Sequence, residues 1–143
     1  MKKQLLLGFL VITLCVVSFS AMAGEADNGK QVTCAAIKVF ECTSANGCRS
    51  VTAAAIDMPQ MFRIDFNAKT ITGTVNGTER VTGIEYLEYI DGKLMLYGAE
   101  DGRKDQKDGV AWNGVIDEMS GNLVFSASGD NVAFSIFGAC IPR

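Results

Sequence analysis

Cysteine and carboxylate are the side chains through which this sequence could do chemistry, because it contains no histidine. That absence removes Ser-His-Asp and Cys-His catalysis, histidine metal sites and histidine proton transfer in one step. Neither G-x-x-x-x-G-K-[ST] nor G-x-G-x-x-G occurs, so no phosphate-cradling loop is signalled either. Two adjacent or near-adjacent acid pairs, Glu85 with Glu88 and Asp117 with Glu118, are the material for general acid–base work of the kind glycoside hydrolysis uses. Acids on strand faces and at loop starts usually serve solubility and turn formation, so a carboxylate-based hydrolase ranks third among the functions considered. No catalytic residue is assigned, and the expectation is a protein that is not an enzyme.

The cysteines are read according to compartment. Met1-Lys2-Lys3, an apolar run from Leu5 to Val17 and Ala21-Met22-Ala23 form a secretory signal with cleavage after Ala23. The run is shorter than the roughly 20 residues needed to span a bilayer. Cys15 lies inside it behind Leu14, where a lipoprotein signal would carry a small residue. The expected organisation is therefore a cleaved signal peptide over residues 1–23 and one domain over 24–143, exported to a bacterial periplasm or secreted. Cleavage leaves 120 of the 143 residues, and four cysteines: Cys34, Cys42, Cys48 and Cys140. An even number in an oxidising compartment implies two disulfides. Cys42 and Cys48 bracket a short turn-rich loop, so Cys42–Cys48 is expected, and Cys34 then pairs with Cys140, tying the first strand to the last. A zinc site finds no support, since there is no C-x-x-C pair. No metal and no cofactor is expected.

Removing Lys2 and Lys3 with the signal changes 13 basic against 16 acidic residues to 11 against 16. An acidic domain is a poor partner for nucleic acid or an anionic membrane, and no membrane insertion is expected after cleavage. The connection from Gly98 to Gly109 holds Asp101, Asp105 and Asp108, which offer oxygen ligands to calcium. Their spacing departs from the D-x-[DN]-x-[DN]-G pattern, and Arg103, Lys104 and Lys107 are interleaved, so a solvated loop is the better reading. Asn76-Gly77-Thr78 fits a glycosylation acceptor, yet its Asn-Gly is explained by a hairpin turn.

What positions these residues is a succession of strands. Phe62, Ile64 and Phe66 alternate with Arg63 and Asp65, which places the apolar set on one face. Asn76-Gly77 and Asp91-Gly92 carry the type I′ hairpin signature, with Ile71–Val75, Thr78–Ile90 and Lys93–Tyr97 as the strands they join. Val110, Trp112 and Ile116, then Leu123, Phe125 and Ala127, then Val132, Phe134, Ile136 and Cys140 supply three more inward faces. Gln31–Cys42 reads as a strand despite the helical propensity of Ala35-Ala36-Ile37-Lys38, and Thr52–Ile56 as one helical turn ahead of Pro59. The fold class is all-β: an antiparallel up-and-down meander of roughly eight strands, closed or barrel-like and stapled by disulfides.

In overall plan the chain resembles the small periplasmic lysozyme inhibitors: exported, of about this size, a β-barrel with cysteines near both ends. Their paired-tryptophan segment does not occur here, since Trp112 stands alone, so the resemblance implies no functional residue.

Two kinds of binding follow from these features. The segment Ile84-Glu85-Tyr86-Leu87-Glu88-Tyr89-Ile90 breaks strict alternation, so a bulge near Gly83 resets its phase or apolar groups stand on both faces. Exposed, Tyr86, Leu87 and Tyr89 would suit a protein contact; covered by a neighbouring loop, they would be core. The leading expectation is a periplasmic, non-catalytic protein-binding module that acts as an inhibitor or as an accessory subunit of an envelope complex. The alternative is a small-ligand carrier with Phe62, Phe66, Trp112, Phe125 and Phe134 around a barrel cavity, since eight strands either fill themselves or hold one small ligand.

Overall fold

The computed structural model describes residues 31–102 and 105–142. The expected signal, residues 1–23, lies outside them, as do Arg103 and Lys104. Ten antiparallel strands form one curled half-barrel sheet: β1 (Gln31–Thr43), β2 (Gly47–Val51), β3 (Met61–Asp65), β4 (Thr70–Val75), β5 (Thr78–Gly83), β6 (Tyr86–Ile90), β7 (Lys93–Glu100), β8 (Val110–Asp117), β9 (Asn122–Gly129) and β10 (Val132–Pro142). Their order across the sheet is β5-β4-β3-β1-β10-β9-β8-β7-β6, with β2 also on β1. First and last strands are thus neighbours at the centre of the sheet, and the seam falls between β5 and β6, which are consecutive in the chain.

Ten strands stand where roughly eight were expected because the sequence reading had no strand at β2 and because one expected run is cut in two. β2 and β3 lie along the same edge of the long strand β1: Val39 to Thr43 pair with β2 and Gln31 to Ala35 with β3. Between them the chain leaves the sheet for a 3-10 turn at Ala53–Ile56, where Thr52 caps the start by accepting the Ala55 amide. The Ala36 amide, left over at the gap, donates to the Gln60 carbonyl at 2.9 Å. Register against β10 shifts between Ala36 and Lys38, so Ile37 bulges outward, which bends β1 in the middle of its course.

The cut falls in the run from Thr78 to Ile90, near Gly83. β5 pairs with β4 and β6 with β7. At the changeover, the Ile84 amide donates to Lys69 O at 2.8 Å and the Glu85 amide to Tyr97 O at 2.9 Å. Successive amides of an extended chain point to opposite sides, so this one segment touches both ends of the sheet and curls it. The close approach needs Gly98, because a side chain there would overlap the indole of Trp112 and the Gly83 carbonyl. Both hairpin signals carry the backbone they imply: Asn76 and Gly77 at φ 50° and 78°, Asp91 and Gly92 at 50° and 71°.

One end of the half-barrel is solid. Ile64, Leu96, Leu123 and Cys34 are the largest fully buried side chains. Cys34 faces Cys140 directly across the β1–β10 ladder and Cys42 faces Cys48 across β1–β2, and both pairs are disulfide-bonded. The Cys34–Cys140 bridge lies in the core, as the parity of Cys140 with Ile136 implies. The hairpin entering β9 is held by Asp117, whose carboxylate accepts from Lys93 Nζ at 2.9 Å and from the Ser120 amide and hydroxyl, each at 2.8 Å.

The Lys93 hydrogen bond, then those of Ser120, hold the Asp117 carboxyl well below its ordinary value of 3.8. A carboxyl depressed in the folded state stabilises above its unfolded pKa, and that contribution is lost as the pH falls through the folded one. Asp117→Asn is therefore expected to lower the urea midpoint at pH 7, with the difference from wild type shrinking once the pH drops below about 4. Denaturation curves at pH 7 and pH 3 check this; a gap that widened in acid would contradict it.

Candidate functional site

At the other end the interior is open. Along each strand, alternate residues point to the concave face, and those around the opening are Phe62 on β3, Ile71 on β4, Val110 and Trp112 on β8, Phe125 and Ala127 on β9, and Val132, Phe134 and Ile136 on β10. They surround a cavity of about 530 Å³, inside the usual range for small-molecule sites. Its inner end is an aromatic cluster. Phe125 meets Trp112 at 5.6 Å between ring centroids and Phe62 at 5.9 Å, both edge-to-face. Gly114 opposite Phe125 leaves room for that ring.

Of the five aromatics the sequence suggested for a carrier, Phe62, Trp112, Phe125 and Phe134 line the cavity. Phe66 does not: it follows β3 at the solid end and packs half-buried on the core there. The alternation that grouped it with Phe62 reports which face a residue takes, not how far along the barrel it sits.

The segment between β2 and β3 forms one side of the mouth, with Ile56, Met58 and Pro59 against the cavity. Asp57 at its tip is ion-paired to Arg80 of β5, and Pro59 lies where a side chain on Gly73 would have to go. Glu41, Glu100 and Asp108 complete the rim. Arg49 binds Glu41 at 2.6 Å, and the Thr82 hydroxyl donates to Glu100. The indole N–H of Trp112 is buried without an acceptor among the described residues, although buried indoles ordinarily find one.

The three residues expected to form a protein contact are on β6, but not on one face. Leu87 pairs with the buried Leu96 and shares the concave side with Tyr89, whereas Tyr86 pairs with Tyr97 on the convex side, their rings 5.7 Å apart. Tyr86 and Tyr89 are half exposed or more, and Leu87 packs half-buried on the core. Tyr86 Oη donates to Glu88 at 2.7 Å and Tyr89 Oη to Glu118, so each phenol is held above its ordinary pKa first by its carboxylate hydrogen bond. Sequence reading missed the convex face beside them: Phe137, Val124, Val115 and Met95 are register neighbours across β10, β9, β8 and β7 and make a continuous apolar row. Its signal was the second parity of the same strands, apolar where one-sided alternation calls for polar residues.

Three of the four acids in these pairs are hydrogen-bonded within the fold. Asp117 is bound by Lys93 and Ser120, Glu118 by Tyr89, and Glu88 by Tyr86. A general acid needs a carboxyl that keeps its proton, and Asp117 is displaced in the opposite direction. Among the described residues no three of Cys, Asp and Glu converge on a metal-sized site, and no helix is long and apolar enough to cross a membrane. No family model, curated protein or solved structure matches the chain.

Proposed function

We propose that this is a non-catalytic binding protein of the bacterial envelope that holds one small, largely apolar molecule in the open end of its half-barrel. The observation that carries this reading is the aromatic-lined cavity of about 530 Å³, with charged groups confined to its rim. An apolar body placed there leaves water for a preformed wall of Phe62, Trp112, Phe125, Phe134 and Ile136, which favours binding by roughly 25 cal/mol per Å² of apolar surface buried. The two halves of the sheet meet at Ile84–Glu85 and are clasped by Cys34–Cys140, so little ordering remains to be done when the ligand enters.

The neutral naphthyl probe N-phenyl-1-naphthylamine is expected to brighten saturably with the purified protein. Ala127 lines the cavity between Trp112 and Phe134 in register. Ala127→Phe fills the space and should weaken the probe at least about tenfold while leaving the melting temperature unchanged or raised. Undiminished binding by a folded Ala127→Phe variant would remove the cavity reading.

A protein contact, as an inhibitor or accessory subunit, is the second reading. The convex row of Phe137, Val124, Val115 and Met95, with exposed Tyr86 and Tyr97 beside it, supports it, because continuous exposed apolar surface commonly marks an interface. The same variant separates the two readings, since Ala127→Phe blocks the cavity and leaves the convex face as it was.

A further inference from the structure

We infer that the cavity takes an organic cation, a molecule with an apolar body and an amine or quaternary ammonium head seated at Glu100. This rests on the cavity reading above and names the chemical class of its ligand. Among the described lining residues the titratable side chains are Glu41, Asp57, Glu100 and Asp108, with Arg80 as the one base. Arg80 is committed to Asp57, and Arg49 answers Glu41. Glu100 differs: its partner is the neutral hydroxyl of Thr82, so its charge is hydrogen-bonded but not neutralised by that contact.

Position matters as much as charge. Glu100 pairs with Val110, and the next inward-facing pair along the two strands is Gly98 with Trp112. Two residues along a strand is about 7 Å, which sets the carboxylate at the mouth and the indole one step deeper, with Phe125 beyond it. A cationic head at Glu100 thus continues into an apolar body lying along Val110, Trp112 and Phe125. An anionic head at that place would meet Glu100 with no unengaged base among the described lining residues to offset it. Aromatic faces add attraction for a cation and none for an anion.

Trp112 is the sole tryptophan of the chain, so its emission reports this cavity. Decyltrimethylammonium, decanol and decanoate, which share a tail and differ in head charge, are titrated below their aggregation concentrations against the purified full chain and against Glu100→Gln. Decyltrimethylammonium should bind about tenfold more tightly than decanol, with decanoate weakest. Glu100→Gln should erase the preference for the cation and leave decanol unchanged. Equal affinity for all three, or a cation preference that survives Glu100→Gln, overturns the assignment of the cation to Glu100 while the cavity reading stands. If none of the three alters Trp112 emission, the cavity reading falls with it.

Discussion

Replacing Cys34 and Cys140 together by alanine is expected to lower the free energy of unfolding by about 5 kcal/mol at 25 °C, against about 2 kcal/mol for the Cys42–Cys48 pair, on the chain-entropy account of cross-links. The two bridges span 106 and 6 residues of sequence, and the entropy removed from the unfolded chain grows with the logarithm of that span. Location adds to the difference. Cys34 and Cys140 are buried against the core at the junction of the first and last strands, so alanine there also leaves unfilled volume. Domains of this size are stable by about 5–15 kcal/mol, which brings the first variant close to the threshold of folding at all. Urea denaturation of the two double variants beside wild type gives the comparison. A limited reduction of wild type supplies a second measure, in which the more exposed Cys42–Cys48 bridge should open first. Equal losses for the two pairs would mean that joining the chain ends contributes little.

Phe125→Ala carries the next largest effect, a loss of about 3–5 kcal/mol. The ring is buried, makes edge-to-face contacts with Trp112 and Phe62, and lies over Gly114. Truncation removes those contacts together, and the backbone opposite has no side chain with which to refill the space. Phe134→Ala provides the contrast. Phe134 lines the same cavity but is only half-buried, so it loses less transfer free energy and creates no new enclosed void. The expected order, Phe125→Ala well below Phe134→Ala in urea midpoint, inverts if the cavity's inner end is loosely packed.

These effects show how local rules and tertiary structure divide the molecule. Alternation in Phe62–Ile64, Trp112–Ile116, Leu123–Ala127 and Val132–Ile136 reports which side chains face inward, because the side-chain period of a strand is two whatever the strand pairs with. Asn76-Gly77 and Asp91-Gly92 announce hairpins because few other dipeptides accept positive φ at both central positions. The cysteine pairing follows from the same parity together with loop length. All of this is short-range information, and the structure agrees with it.

The break in alternation at Ile84–Tyr89 carried a mixed lesson. One of its two readings, apolar groups on both faces of the strand, is what β6 carries, since the adjacent Tyr86 and Leu87 take opposite sides; what the local pattern did not carry is that the segment bridges two distant strands, β4 and β7. The interruption between β2 and β3 was legible only as a helical turn before Pro59, although in the fold it forms a wall of the cavity mouth and brings Asp57 to Arg80.

By itself, then, the amino-acid sequence determined the fold class, the hairpins, the inward-facing residues and the two cross-links, since each depends on conformational preferences and spacing over a few residues. Tertiary structure alone decided where the inward-facing residues pack solidly and where they leave room. It decided too that Phe66 lies at the closed end and Glu100 at the open one, and that the sheet's seam falls between β5 and β6. Those outcomes depend on sheet curl and strand stagger, which sum small twists over ten strands and are written in no single stretch of the chain.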